Sequence, residues 1–136
     1  MKRMFIAIML LCSLNSCTSN FEKTDSSNVS ENSNIYISED EVFSIKTPHF
    51  CYFFLVSCSS CEAVKSKIEL YASEHSDFYM LEAPSAYQKG ITKEDSVGVE
   101  CVDEIKFLGF PTLIFVENGS LKKMYVGINE ITNFLF

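Results

Sequence analysis

The chain has 136 residues, with 11 Lys and Arg against 18 Asp and Glu, for a formal charge of −7 at neutral pH, and it contains six cysteines and no tryptophan. An acidic chain with no basic cluster cannot neutralise phosphates, which argues against nucleic acid or an anionic lipid surface as its partner. No repeat divides it, and 47% apolar residues are enough to build the core of one domain of ordinary size.

Lys2 and Arg3 form a short basic start, and residues 4–14 (MFIAIMLLCSL) are apolar apart from Cys12 and Ser13. As a helix rising 1.5 Å per residue, this stretch covers about half of a ~30 Å hydrocarbon core, so it reads as an export signal and not as a permanent span. Leu14-Asn15-Ser16-Cys17 then resembles the lipobox of bacterial lipoproteins, with Leu three places before the cysteine and a small Ser immediately before it. That resemblance implies cleavage after residue 16. Cys17 would become the N-terminus, carrying a thioether-linked diacylglycerol and usually a further acyl chain such as palmitate on its amine. Two or more chains anchor a protein stably where one holds it only marginally. An ordinary secretory peptide cut nearby is the alternative. Both readings put the mature protein outside the cytoplasm, on the extracytoplasmic face of the membrane in the first case, where disulfide exchange is permitted. Loss of residues 1–16 removes Lys2 and Arg3 and no acid, which takes the charge from −7 to −9.

Residues 18–34 (TSNFEKTDSSNVSENSN) are rich in Ser, Asn and charge, with only Phe21 and Val29 apolar. They cannot bury enough surface to offset ordering entropy, and read with Cys17 as a tether over 17–34, of roughly 20–25 Å root-mean-square span as a flexible coil. The domain proper is expected over 35–136.

Within it, 35–37 is a short strand candidate. Ser38 and Glu41 form a capping-box pattern that opens a short helix towards Lys46, stopped by Pro48. Residues 50–56 (FCYFFLV) are apolar on both faces, as in a central strand covered on both sides. A helix follows from Cys58, with Val64, Ile68, Tyr71 and Ala72 at i, i+4, i+7 and i+8 forming its buried face. Residues 78–81 are the next strand, 83–95 a loop containing Pro84 and Gly90, and 99–108 a further helix. Pro111 leads into a strand over 112–116, Asn118-Gly119 marks a tight hairpin turn, and 121–126 returns. A helix over 128–136 closes the chain, with Ile128, Ile131, Phe134 and Leu135 on its apolar side. The order β-α-β-α-β-α-β-β-α predicts an α/β fold, a central mixed β-sheet flanked by helices on both faces.

Cys58-Ser59-Ser60-Cys61 sits at the junction of the apolar strand and the helix that follows. A cysteine at a helix N-terminus is favoured as thiolate by unpaired backbone N–H groups and by the helix dipole. The second cysteine, one turn on, can attack a mixed disulfide formed at the first. A structural disulfide and half of a zinc site are the competing uses of such a pair. Zinc wants four ligands in closed geometry, and the chain has no second CxxC and no paired-His spacing. Thiol redox chemistry is therefore the expected use, with the structural disulfide as the alternative.

With these elements in place, residues 35–136 resemble thioredoxin: the CxxC after a buried strand, Gly109-Phe110-Pro111-Thr112 ahead of an apolar strand, the Asn118-Gly119 turn, and a short last helix after Gly127. The resemblance implies a thioredoxin fold, with the peptide bond before Pro111 cis and facing the disulfide. It also makes Phe110 and Pro111 the edge on which a substrate chain docks. The sequence departs from the family pattern in four places. Ser57 stands where thioredoxins have tryptophan, Tyr52 where they have a buried aspartate, Ser66 where they have a helix-kinking proline, and Ser59-Ser60 between the cysteines. Without a buried acid, Glu62 or water remains to deprotonate Cys61. Without histidine between the cysteines, the helix terminus alone favours the Cys58 thiolate, so a reductant or weak exchanger is expected.

Cys51, in the buried strand, reads as a small hydrophobe. A Cys51–Cys101 bridge is one of the pairings open to the four cysteines of the mature domain. His49 and His75, with no partner at catalytic or metal spacing, read as surface residues. The aromatics Phe50, Phe53, Phe54, Phe107, Phe110 and Phe115 read as core or docking surface.

The expected function is a membrane-anchored extracytoplasmic thiol–disulfide oxidoreductase. Cys58 and Cys61 are its catalytic pair, Phe110 and Pro111 its substrate-binding edge and Cys17 its lipidation site. Its partners are proteins with thiols or disulfides, the membrane through the lipid, and a membrane electron donor. No cofactor, metal or nucleic acid is expected, and the protein is expected to be a monomer. The alternative is a non-catalytic thioredoxin-fold accessory or binding lipoprotein, such as those that accompany bacteriocin export.

Overall fold

A computed structural model of the chain describes residues 35–136. The expected signal peptide at 1–16, lipidation at Cys17 and the tether over 17–34 lie outside the described residues.

The apolar run around Tyr52 forms β1 (His49–Phe54) at the centre of a four-stranded mixed sheet. On one side it pairs in parallel with β2 (Phe78–Glu82), in register Tyr52↔Met80. On the other it pairs antiparallel with β5 (Thr112–Glu117), in register Tyr52↔Leu113, and β5 forms a hairpin with β6 (Ser120–Val126). Asn118 (φ 53°) and Gly119 (φ 72°) both take the left-handed conformation that a two-residue hairpin needs, as their pairing in sequence predicts. The expected strand over 35–37 reduces to a bridge of Tyr36 to Met80 at the β2 edge, held by Ile37 N–H to Met80 O and Met80 N–H to Ile35 O.

Alternation along β1 divides the core in two. Tyr52 faces the layer made with Met80 and Leu113, where α1 (Ser59–Glu74) contributes Ile68 and Ala72 and α2 (Ile128–Leu135) contributes Ile131. Cys51 and Phe53 face the opposite layer with Ile114, Val116 and Leu121. Each fully buried side chain of this size contributes about 1.5–3 kcal/mol relative to exposure, which explains a strand apolar on both faces. The two α-helices share one face. The other is covered by turns at 39–44, the 3-10 helices Lys93–Ser96 and Val102–Glu104, and a two-stranded sheet of β3 (Gln88–Lys89) and β4 (Lys106–Phe107).

Two expected helices do not form. From Ser38, Glu41 does reach back, accepting from the Ser38 N–H at 2.8 Å, but the Ser38 hydroxyl donates to the same carboxylate instead of capping the backbone. The Val42 carbonyl, which a continuing helix would give to Lys46, faces His49 Nε2 at 2.8 Å, so the segment stops after its turns. Over 99–108, the Val99 carbonyl accepts from Leu121 N–H at 2.9 Å, while Ser96 Oγ accepts from Lys106 N–H at 2.8 Å. These bonds remove groups an α-helix would use. Val102, Ile105 and Phe107 are buried at spacings of three and then two, a 3-10 turn running into a strand.

Candidate functional site

Cys58 caps the N-terminus of α1 with extended backbone, φ −91° and ψ 109°, and its sulfur accepts from the Cys61 N–H at 3.1 Å. That donor and the helix terminus place partial positive charge against the sulfur. Cys58 and Cys61 form a disulfide, with Cα atoms 5.2 Å apart. Their exposure is unequal: Cys58 is half-buried, whereas Cys61 is 4% exposed. Helix geometry sets this difference, since the cap is the outermost position and the residue three on turns in beneath it.

The loop before β5 faces the pair. The Phe110–Pro111 peptide is cis, and the Phe110 carbonyl oxygen lies 3.8 Å from Cys58 Sγ. A disulfide sulfur carries no proton, so this is a hydrogen-bond distance only for the Cys58 thiol. Thr112 Oγ1 donates to the Gly109 carbonyl at 2.6 Å, and the Pro111 carbonyl accepts from the Gly127 N–H at 2.8 Å, which ties the loop to the start of α2. Gly127, at φ 81°, takes a backbone conformation that a side chain would strain. The Phe110 ring stacks on Phe107 at 5.0 Å and meets the edge of Tyr87 at 5.0 Å.

Beside Cys61 an open pocket of ≈ 110 Å³ is lined by Tyr52 and Phe54 of β1, Leu55 and Val56 just after it, Met80 of β2, and Glu62 and Lys65 of α1. Tyr52 is 1% exposed, its hydroxyl has no hydrogen-bond partner, and burial pushes its pKa up.

No protein-family model matches the chain, and no curated protein does. Solved structures do. Thioredoxin f from spinach chloroplast, in its long form, is 19% identical over 74% of this chain and 78% of that one, with a TM-score of 0.52. Its short form gives 18%, 74%, 88% and 0.51 for the same measures. Thioredoxin from Malassezia sympodialis is 17% identical over 82% of this chain and 93% of that one, with a TM-score of 0.50. The chain has the thioredoxin fold.

Within this thioredoxin fold, Cys58, Cys61, Phe110 and Pro111 come together at one end of the sheet, while Cys17 lies outside the described residues. The Cys51–Cys101 bridge is not made: Cys51 is a buried thiol on the face away from α1, and burial pushes its pKa up. His49 is not at the surface but fully buried. The support of Phe110 by Tyr87 and Phe107 is not visible in the sequence, because it depends on Phe107 lying in β4 and not in the helix expected over 99–108. The pocket beside Cys61 was missed as well. The signal for it was the alternation of β1, which puts Tyr52 on the same face as the helix that carries Cys61.

Proposed function

We propose that the protein is a thiol–disulfide oxidoreductase that works outside the cytoplasm, held to the membrane through lipid on Cys17. The observation that carries the redox reading is the CxxC disulfide at a helix cap, with one sulfur accessible, the other buried, and a cis-proline loop alongside. The anchoring part rests on the lipobox resemblance at 14–17.

In the reduced protein, the Cys58 thiolate attacks a client disulfide, one client thiolate leaves, and a mixed disulfide joins Cys58 to the other. The Cys61 thiol loses its proton and attacks Cys58 sulfur, releasing the second client thiolate and leaving the Cys58–Cys61 disulfide. The client gains two electrons and two protons, and a membrane dithiol donor restores the pair. Phe110 and Pro111 form the edge along which an extended client backbone lies, as in strand addition. The polar cap on Cys58 and the lack of a neighbouring imidazolium favour reduction or exchange over strong oxidation.

Replacing Cys61 with Ser tests this reading against a non-catalytic binding role. The attacking thiol remains and the resolving thiol is gone, so Cys61→Ser should accumulate mixed disulfides with clients, visible as reductant-sensitive adducts that Cys58→Ser abolishes. A Cys61→Ser protein that forms no adducts with disulfide-bearing proteins would remove the enzymatic reading in favour of a binding module.

A further inference from the structure

The end of the sheet opposite the disulfide carries a group of aromatic rings that the domain leaves partly uncovered. β1 and β2 run in parallel towards the CxxC end and α1 runs back from it, so Phe50, Phe78 and the last turns of α1 share the far end. α2 starts beside Pro111, through the Gly127 N–H, and also finishes there. Register places Phe50 beside Phe115, and Phe115 beside Lys123, on the face that the helices cover. With only 8 residues, α2 does not close over them. Phe134 stacks on Tyr125 at 4.2 Å and meets Phe50 at 5.5 Å, yet remains 43% exposed. Phe136 meets the edge of Tyr71 at 5.6 Å, has the Lys67 ammonium 3.7 Å from its ring centre, and is 55% exposed.

The chain enters the domain at this same end. The bridge of Tyr36 to Met80 is parallel, with Ile35 O accepting from Met80 N–H and Ile37 N–H donating to Met80 O. Residues 35–37 therefore run from the Phe78 end of β2 towards the CxxC end, and Ile35 packs in the layer with Phe78. In the anchored reading, residues 17–34 join this point to the bilayer, over roughly 20–25 Å as a coil. Aromatic rings are favoured where a membrane meets water, and a lysine beside them keeps its charge among the headgroups. Glu74 and Asp77 near the end of α1 and Glu117 at the end of β5 offset Lys67 and Lys123, so neutral headgroups suit this surface better than anionic ones. A second copy of the chain also offers apolar surface, but it has no reason to favour the end at which the tether attaches.

Building on the lipid-anchor reading, we propose that this aromatic end is a seat: Phe134 and Phe136 enter the neutral headgroup boundary of the membrane that holds Cys17. Two partly exposed rings bury too little surface to hold a free protein. The tether makes the contact intramolecular, at an effective concentration on the order of millimolar for a short flexible linker, and so lets a weak contact persist. Seated in this way, the domain holds its CxxC end away from the lipid by at least the six residues of β1, about 20 Å at a strand rise of ~3.3 Å per residue. Cys58 then faces clients in solution, or those parts of membrane proteins that stand clear of the bilayer.

The chain has no tryptophan, so a single introduced one is a sole reporter. Phe134→Trp marks the seat, and Val56→Trp, at a position 73% exposed and two residues before Cys58, marks the other end. Each mature protein, its lipid verified by mass, is reconstituted into phosphatidylcholine vesicles with and without bromine on the acyl chains. Brominated lipid should quench Phe134→Trp at least about twofold, as for a ring about 5–10 Å into the boundary, and leave Val56→Trp unchanged. Adding Phe136→Asp to Phe134→Trp should remove most of this quenching while the protein stays on the vesicles, because the anchor is untouched. The same reporter made without lipid, as Cys17→Ala, should not be quenched at the same vesicle concentration.

Lipid on Cys17 with Phe134→Trp unquenched overturns the seat and leaves the anchor standing. Equal quenching of the two reporters also overturns it, since the domain then has no preferred face. A blue shift of Phe134→Trp that grows with protein concentration in the absence of vesicles assigns the rings to a second copy of the chain and overturns the membrane as their occupant. A mature protein that carries no lipid on Cys17 overturns the anchor itself, and the seat, which needs the tether, falls with it.

Discussion

The imidazole of His49 touches two carbonyl oxygens, that of Val42 through Nε2 at 2.8 Å and that of Thr47 through Nδ1 at 2.7 Å. Its ring also meets the edge of Tyr79 at 5.7 Å. One side chain thus fastens the segment before β1 to the sheet. His49→Phe keeps an aromatic ring but removes the imidazole N–H, so the carbonyl it serves, that of buried Val42 in the Nε2–H tautomer, loses its donor. The expected loss is about 1–3 kcal/mol, or a melting temperature lower by roughly 4–8 °C for each kcal/mol in a domain of this size. An unchanged melting temperature in His49→Phe would mean that ring packing alone holds the segment. Sequence placed His49 at the surface because no partner stood at catalytic or metal spacing. Its partners are main-chain oxygens whose positions exist only after the chain turns back on itself, so no pattern of side chains reveals them. Cys58 and Cys61 were legible for the opposite reason: their difference in exposure follows from three residues of helix.

The start of α2 is held by a carboxylate. Glu130 Oε2 accepts from the Val126 N–H at 2.6 Å, and its other oxygen pairs with Lys93 from the 3-10 helix. Partial burial raises the Glu130 pKa, but the Lys93 hydrogen bond, the Val126 N–H and the Lys93 charge outweigh it, holding the carboxyl below its ordinary value of 4.5. A pKa lowered on folding stabilises the protein above the ordinary value, and that contribution fades as pH falls through the lowered one. Glu130→Gln should therefore reduce stability near neutrality and converge on wild type in acid. The pair is about one third exposed, so the difference should be at most about 1 kcal/mol. Urea unfolding of both proteins at about pH 7 and about pH 3 reads it, and a gap that persisted in acid would mean the charge is not the cause. At this scale α1, the hairpin and α2 were legible because each has its own period or turn chemistry. Residues 99–108 were not. Their apolar spacing suits a helix as far as Ile105, but the competing bonds come from Leu121 in β6 and from the Ser96 hydroxyl just upstream, which the spacing does not reveal.

Across the whole molecule, sequence order and one central apolar strand were enough to reach a mixed α/β sheet, since short connections leave few topologies open, while the thioredoxin fold was implied by the resemblance at the CxxC, Pro111 and the Asn118-Gly119 turn. What covers the second face was not legible, because turns and 3-10 helices carry no long period. The proposed attachment to a membrane belongs to the same scale, and among the described residues no helix is long and apolar enough to cross one. On the lipobox resemblance at 14–17, Cys17→Ala should release the protein from the detergent phase or leave it as an uncleaved precursor, read by phase partition and by mass. Unchanged partition would remove the lipid anchor from the proposal.

Cys51 and Cys61 lie ten positions apart in the chain but on opposite sides of the sheet, one packed with Phe53 and Ile114, the other beside Tyr52 and Met80. The hydrogen-bonded backbone of β1 and its neighbours is thus an insulating wall between two thiols. In the proposed reaction an exchange begun at Cys58 runs on to Cys61 or back to a client, and it has no route to Cys51 while the sheet is intact. The domain in this way keeps Cys51 as ordinary packing material, sealed off from the reactive pair by the same strand that leads into the CxxC.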